Sequence, residues 1–166
     1  MDQQLSNPAA APNETTIERP SDTELVVLRM FNAPPRIVFK AWSQPELFRR
    51  WWAPQSFGIT LVSCDMDVRT GGKYRLEFAH GGGTMAFHGK YLEVVPGERI
   101  VWTNDEGEEE GAVTTVTFED LGGRTLVTFH ERYPTKEAVE EAMQGSATGL
   151  PEQFRQLDAL LADLGG

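Results

Sequence analysis

LRMFNAPPRIVFKAWSQPELFRRWWAP, residues 28–54, holds the end of a strand, two short helices and a stop in one run. Its first residues close ELVVLRMF (24–31), whose β-branched and aromatic content reads as a strand. Pro34 and Pro35 suit the first turn of a helix, where backbone N–H groups have no intrahelical partner. Ile37, Val38, Ala41 and Trp42 then form one apolar stripe. Ser43-Gln44-Pro45-Glu46 fits a capping box, Ser43 capping forward and Glu46 reaching back. The second helix runs to about Trp51, and Ala53-Pro54 ends it because proline biases the preceding residue away from helix. Trp51 shares helical phase with Leu47 and Phe48 and is expected in the core. Trp52 is turned about 100° away, which leaves it for the sheet edge or for the mouth of a cavity.

Downstream the period changes to two. In FGITLVSCDMDV (57–68), Val62, Cys64, Met66 and Val68 share one phase and Ser63, Asp65 and Asp67 the other, as in a strand with one wet face. After the turn at Thr70-Gly71-Gly72, KYRLEFAH (73–80) sets Tyr74, Leu76 and Phe78 on one face. A strand at about 85–95 should pair with it around Gly81-Gly82-Gly83. A four-residue loop at 81–84 would set Phe78 against Phe87, Leu76 against Gly89, Tyr74 against Tyr91 and Glu77 against His88. Aromatic-on-aromatic pairing favours that register over a three-residue loop. ERIVWTN (98–104) is a further strand, and the five acids within 105–110 read as a solvent-exposed loop. AVTTVTFED (112–120) and RTLVTFHER (124–132) form a hairpin, with Val116 and Phe118 against Val127 and Phe129.

The C-terminal segment is helical. Thr135 is a good N-cap, Gly145 and Gly149 loosen the middle, and Pro151 kinks or restarts the helix. Leu150, Phe154, Leu157, Leu161 and Leu164 then make a sustained seam. One face of the alternating strands needs cover, and this helix is the element long enough to give it. The expected fold is α+β: a seven-stranded curved antiparallel sheet around a long C-terminal helix, with two short helices after strand one. Residues 1–22 read as a disordered tail and 23–166 as one domain.

The formal net charge of −10 argues against sequence-independent nucleic-acid binding and against an anionic membrane surface. No apolar run reaches a membrane span, and the N-terminus lacks a signal-peptide pattern, so the expected location is cytoplasmic. Cys64 is the single cysteine, which excludes an intrachain disulfide.

The run at 28–54 resembles the opening of the activator-of-Hsp90-ATPase-homologue-like family, within the START/Bet v 1-like (SRPBCC) superfamily. CDMDVRTGGKYRLEF (64–78), GKYLEVVPGERIVWT (89–103) and YPTKEAVEEAMQGSATGLPEQFRQLDALLA (133–162) extend the likeness, in order, over roughly 24–163. The resemblance implies the helix-grip fold, with a cavity between sheet and C-terminal helix that takes apolar or aromatic small molecules. Some relatives in the superfamily are cyclases or hydrolases. The eukaryotic namesake engages a chaperone through a separate N-terminal domain. A short polar tail stands in that place here, so a chaperone interaction is the lesser expectation.

The inward phase supplies the candidate cavity residues Tyr74, Phe78, Phe87, Tyr91, Trp102, Phe118 and Phe129, with Trp52, Phe57 and Phe154 beside them. Glu131 shares phase with Val127 and Phe129; inside, it could serve as an acid or base, and at a strand end it could equally reach solvent. His80 falls at a loop and His88 and His130 on the outward phase, so neither a metal centre nor a nucleophile–base–orienter set is expected. The leading expectation is a hydrophobic small-molecule binder without a cofactor. The alternatives are acid/base catalysis at Glu131 or a pocket tyrosine, and an interaction protein meeting a basic partner through 105–110.

Overall fold

The computed structural model describes residues 15–53, 56, 58–105, 111–144 and 149–164. Among them, eight antiparallel strands form one sheet: β1 (Thr16–Ser21), β2 (Glu24–Phe31), β3 (Thr60–Met66), β4 (Lys73–His80), β5 (Gly83–Val95), β6 (Arg99–Thr103), β7 (Val113–Asp120) and β8 (Thr125–Arg132). Their spatial order is β1-β2-β8-β7-β6-β5-β4-β3. The helices are α1 (Pro35–Ser43), α2 (Pro45–Phe48), α3 (Lys136–Gln144) and α4 (Leu150–Asp163). The α+β fold with its C-terminal helix against a curved antiparallel sheet agrees with the expected helix grip.

The eighth strand corrects the reading of residues 1–22 as a disordered tail at 16–21; residues 1–14 lie outside the described residues. Thr16, Ile17 and Glu18 pair with Leu28, Val27 and Val26 on the edge of β2. Every side chain of β1 is exposed. It is held by backbone pairing and a few exposed polar contacts, such as Ser21 Oγ donating to Glu24, so no alternation of apolar residues announces it.

Two further expectations fail on local geometry. Ser43 is the last residue of α1, not a cap: Gln44 precedes α2 without a side-chain cap bond, and Pro45 opens the helix. In β3, Val62 was expected inward but is 49% exposed. A bulge inserts it between Leu61, opposite Phe78, and Ser63, opposite Glu77. Two residues then oppose one, which moves the inward phase from Val62 to Leu61.

The C-terminal helix is split, as its glycines and Pro151 suggested. The Thr135 hydroxyl accepts from the Ala138 amide at 3.1 Å at the start of α3, and α4 restarts with Pro151 in its first turn. Gly145 lies outside the described residues. The seam of α4 buries Leu150, Phe154, Leu157 and Leu161 as expected. This helix lies over the β2–β8 side. There Arg29, in the inward phase of β2 and 2% exposed, pairs with Asp158 of α4 at 2.5 Å and lies 4.8 Å from the Phe31 ring centroid. Phe31 meets Phe154 edge-on at 5.6 Å.

Trp42 of α1 is the hub of the core. Its ring lies 4.7–6.4 Å, centroid to centroid, from Trp51, Trp52, Trp102, Phe118, Phe129 and Phe154. Such edge-on and tilted contacts contribute beyond the burial of apolar area. Trp51 is fully buried, and its indole N–H donates to the Ala41 carbonyl at 2.9 Å.

Candidate ligand cavity

The β4–β5 hairpin sets the open side of the sheet. Its turn has two residues, Gly81 and Gly82, at φ of 59° and 85°. Positive φ at both central positions matches the right-handed twist of the flanking strands, and only glycine adopts it without strain. The expected four-residue loop is therefore wrong by two residues of register. Phe78 faces Met85, Leu76 faces Phe87, Tyr74 faces Gly89 and Glu77 faces Ala86. A shift of two keeps every side chain on its expected face.

Gly89 makes a close approach in this region. A β-carbon there would lie 2.0 Å from the Thr103 carbonyl oxygen and 2.8 Å from the Tyr74 ring. The missing side chain lets the Tyr74 ring cross the strand, and its hydroxyl donates to Thr103 O at 2.6 Å. Beyond this point β5 leaves β4 and pairs with β6. A second bulge, at Leu92, marks the change: Tyr91 faces Trp102 and Glu93 faces Val101, with Leu92 48% exposed.

Between this half of the sheet and the helices lies a cavity of about 800 Å³. Of the residues singled out from the sequence, Trp52, Tyr74, Phe78, Phe87, Tyr91, Trp102, Phe129 and Glu131 line it. Phe118 and Phe154 do not. Phe118 packs edge-on against Phe39 of α1 at 5.6 Å, and Phe154 is fully buried among Phe31, Trp42 and Trp51. Both face inward, but where a helix already fills the space. Phe57 lies outside the described residues. Trp52 stacks on Phe48 at 4.8 Å and is only partly buried, while its carbonyl accepts from the Gln153 side chain of α4. Met85 and Phe87, 44% and 51% exposed, line the outer end, where the hairpin runs past its helical cover.

Glu131 faces inward, half-buried, at the polar end of the cavity. The Tyr133 hydroxyl donates to its Oε1 at 2.5 Å and the Thr114 hydroxyl to its Oε2 at 2.9 Å. The Asn104 amide donates to Thr114 Oγ1 at 2.9 Å and to the Ala112 carbonyl at 3.0 Å, and its Oδ1 lies 3.4 Å from the Tyr74 hydroxyl. Strands β4, β7 and β8 and the residues just after β6 and β8 thus contribute to one polar chain. Burial pushes the Glu131 carboxyl above its usual range, against the pull of the Tyr133 and Thr114 hydrogen bonds. Burial also raises both lining tyrosines, Tyr74 and Tyr91, so they stay protonated. Asn104, Thr114 and Tyr133 were missed in the sequence. Thr114 carried a signal: it is the polar member of the inward phase it shares with Val116 and Phe118, and it is fully buried.

Other reactive groups stand apart. Burial pushes the Cys64 thiol up to about 11, which leaves it a poor nucleophile. His130 lies against Glu24 at 2.7 Å. Among the described residues no group of three or more His, Cys, Asp or Glu could hold a metal ion, and no helix is long and apolar enough to cross a membrane.

Comparison with known proteins agrees with this architecture. No curated protein matches the chain. A crystal structure from Rhodobacter sphaeroides superposes with a TM-score of 0.82 at 26% identity, covering 91% of this chain and 99% of that one. One from Chromobacterium violaceum gives 0.70 at 30% identity, over 85% and 98%. The solution structure of an AHSA1-like protein from Aeromonas hydrophila, at 21% identity over 81% and 92%, shares the fold with a TM-score of 0.67. The family model described as activator of Hsp90 ATPase homolog 1-like protein matches residues 32–162, so the chain belongs to that family, within the SRPBCC superfamily.

Proposed function

We propose that this protein binds a hydrophobic, aromatic small molecule in the cavity between its sheet and its helices. The observation that carries the reading is the cavity's size and make-up together. Ligand pockets run from roughly 300 to 1,000 Å³, mostly apolar, with a few convergent polar groups. A volume of about 800 Å³, walls of Trp, Tyr, Phe and Met, and one polar end at Glu131 fit that description. Superfamily membership supports it, since this fold commonly binds ligands. Heteronuclear NMR with a panel of aromatic and aliphatic compounds tests it. The indole N–H signals of Trp52 and Trp102 should move with at least one hydrophobic class. Shifts confined to the outer face, with every hydrophobic class silent at the cavity, would overturn it.

One observation favours a second reading, in which the site turns its ligand over by acid/base chemistry. Glu131 is inside, touched by a tyrosine hydroxyl and held above the usual carboxylate range. A buried carboxyl with a raised pKa beside a hydroxyl is the kind of environment that suits an acid/base group. In this reading Glu131→Gln loses turnover while the fold and the binding of bulky apolar ligands persist. Unchanged turnover in the variant would remove it.

A further inference from the structure

The charged groups among the described residues of the cavity are of one sign. Of the described residues lining it, Glu131 and Glu141 are the only charged ones; there is no lysine, arginine or histidine. The stretches outside the described residues, 1–14, 54–55, 57, 106–110, 145–148 and 165–166, contain none of these three residue types either. None of those stretches can therefore add a basic side chain to the wall; the His80 side chain, on β4, is not among the described ones.

Hydrogen bonding at the polar end has the same bias. The Tyr74 hydroxyl donates to Thr103 O, and the Asn104 amide gives its two hydrogens to Ala112 O and Thr114 Oγ1. Thr114 and Tyr133 both donate to Glu131. Every donor of this cluster is committed within it. What remains for a ligand there is acceptor capacity: a carboxylate has about four lone-pair sites, and two hydroxyls occupy one each. A ligand acceptor, and above all an anion, would find no donor in the cluster and no cation among the described lining side chains. Its buried charge would go unpaired, which is strongly unfavourable.

We propose that the cavity selects a hydrophobic amine, its ammonium seated on Glu131 among aromatic rings, and rejects the carboxylate of the same skeleton. This rests on the binding reading above and adds the charge class of the ligand. An ammonium brings several donors to an acceptor-only site and pairs with the carboxylate. The aromatic rings that line the same cavity, Tyr74, Trp102 and Phe129 among them, add the attraction of their electron-rich faces for a cation. Burial raises the Glu131 carboxyl in the empty protein, and a bound cation would offset that by stabilising the charged form.

Three probes with one ring system separate the possibilities: naphthylmethylamine, naphthylmethanol and naphthoate, titrated calorimetrically into the full chain at neutral pH, with indole N–H shifts locating the site. The expected order is amine, then alcohol, then acid, with the amine at least about tenfold tighter than the alcohol. In Glu131→Gln the amine-to-alcohol ratio should fall to near one. The order in the unaltered protein tests the proposal even if that variant does not fold. An alcohol that binds in the cavity as tightly as the amine overturns the proposal and leaves the binding reading standing. So does an acid that binds as well as the alcohol, or an amine whose shifts stay on the outer face. Silence from all three probes overturns both.

Discussion

The two halves of the inner sheet face carry the same kind of residue and end in different states. On the β2–β8–β7 side, Phe31, Phe118, Val116 and Val127 point inward and are sealed by α1 and α4. On the β4–β5 side, Phe78, Met85, Phe87 and Tyr91 point inward and face a cavity. Strand alternation is equally clear in both. The difference lies in what stands opposite. The seam of α4 and the aromatic hub of α1 fill one half, and the hairpin reaches beyond them in the other. An inward-facing aromatic is therefore core or cavity wall according to the helix above it.

The sharpest break in that comparison is a matched pair of truncations. Trp42, 2% exposed, touches six aromatic rings and reaches the cavity wall; Phe87, 51% exposed, borders the cavity's outer end. Trp42→Ala should cost about 3–5 kcal/mol, the range for deleting a large buried aromatic. Phe87→Ala should cost under about 1 kcal/mol, because much of its surface is already wet. Denaturant unfolding of the two variants measures the gap. Equal costs would mean that the hairpin half is packed as tightly as the hub.

A smaller effect tests how the open half keeps its shape. Gly89→Ala would drive a methyl group into the Thr103 carbonyl, where the nearest atom is backbone and cannot swing aside. We expect a loss of about 1–3 kcal/mol, as for other forced overpacking. Weakened contact of β5 with the β6 side should appear as faster amide exchange at Asp105, whose N–H donates to the His88 carbonyl. A neutral Gly89→Ala would show that the strand crossing tolerates a wider gap.

These residues also mark how far the sequence could be read. The faces of Tyr74, Leu76 and Phe78 were legible because alternation is local. So was the β7–β8 pairing of Val116 with Phe129 and Phe118 with Val127. The bulges at Val62 and Leu92 were not, since an inserted residue changes phase without changing composition. The two-glycine turn was misread because cross-strand aromatic pairing was given more weight than backbone twist. Phe118 and Phe154 were placed on the right face and given the wrong role: alternation reports direction, not what occupies the space beyond. Phase offered Glu131 as an inward candidate but left solvent equally open at the strand's end. Its partners Asn104, Thr114 and Tyr133 come from separate segments that only the folded sheet brings together.

The smallest expected effect returns to Glu131 and depends on pH. Its carboxyl sits above the unfolded value, chiefly because burial disfavours the charge. The unfolded chain therefore gives up this proton first as pH rises. The stability that Glu131 contributes is full below the unfolded carboxylate range, is lost as pH climbs toward the folded value, and stays lost above it. Glu24, Glu93 and Glu152 act in the opposite sense. Hydrogen bonds from His130, Arg99 and Ser56 lower them, so their contribution is present above the ordinary range and lost as pH falls. All three are unchanged in Glu131→Gln, so the difference between the two proteins isolates one group. Thermal unfolding from acid to mildly alkaline pH should show the variant gaining on the parent as pH rises, with the gap levelling once Glu131 is ionised in both states. A gap constant across that range would mean that the carboxyl titrates normally. The polar end of the cavity would then be as wet as its rim.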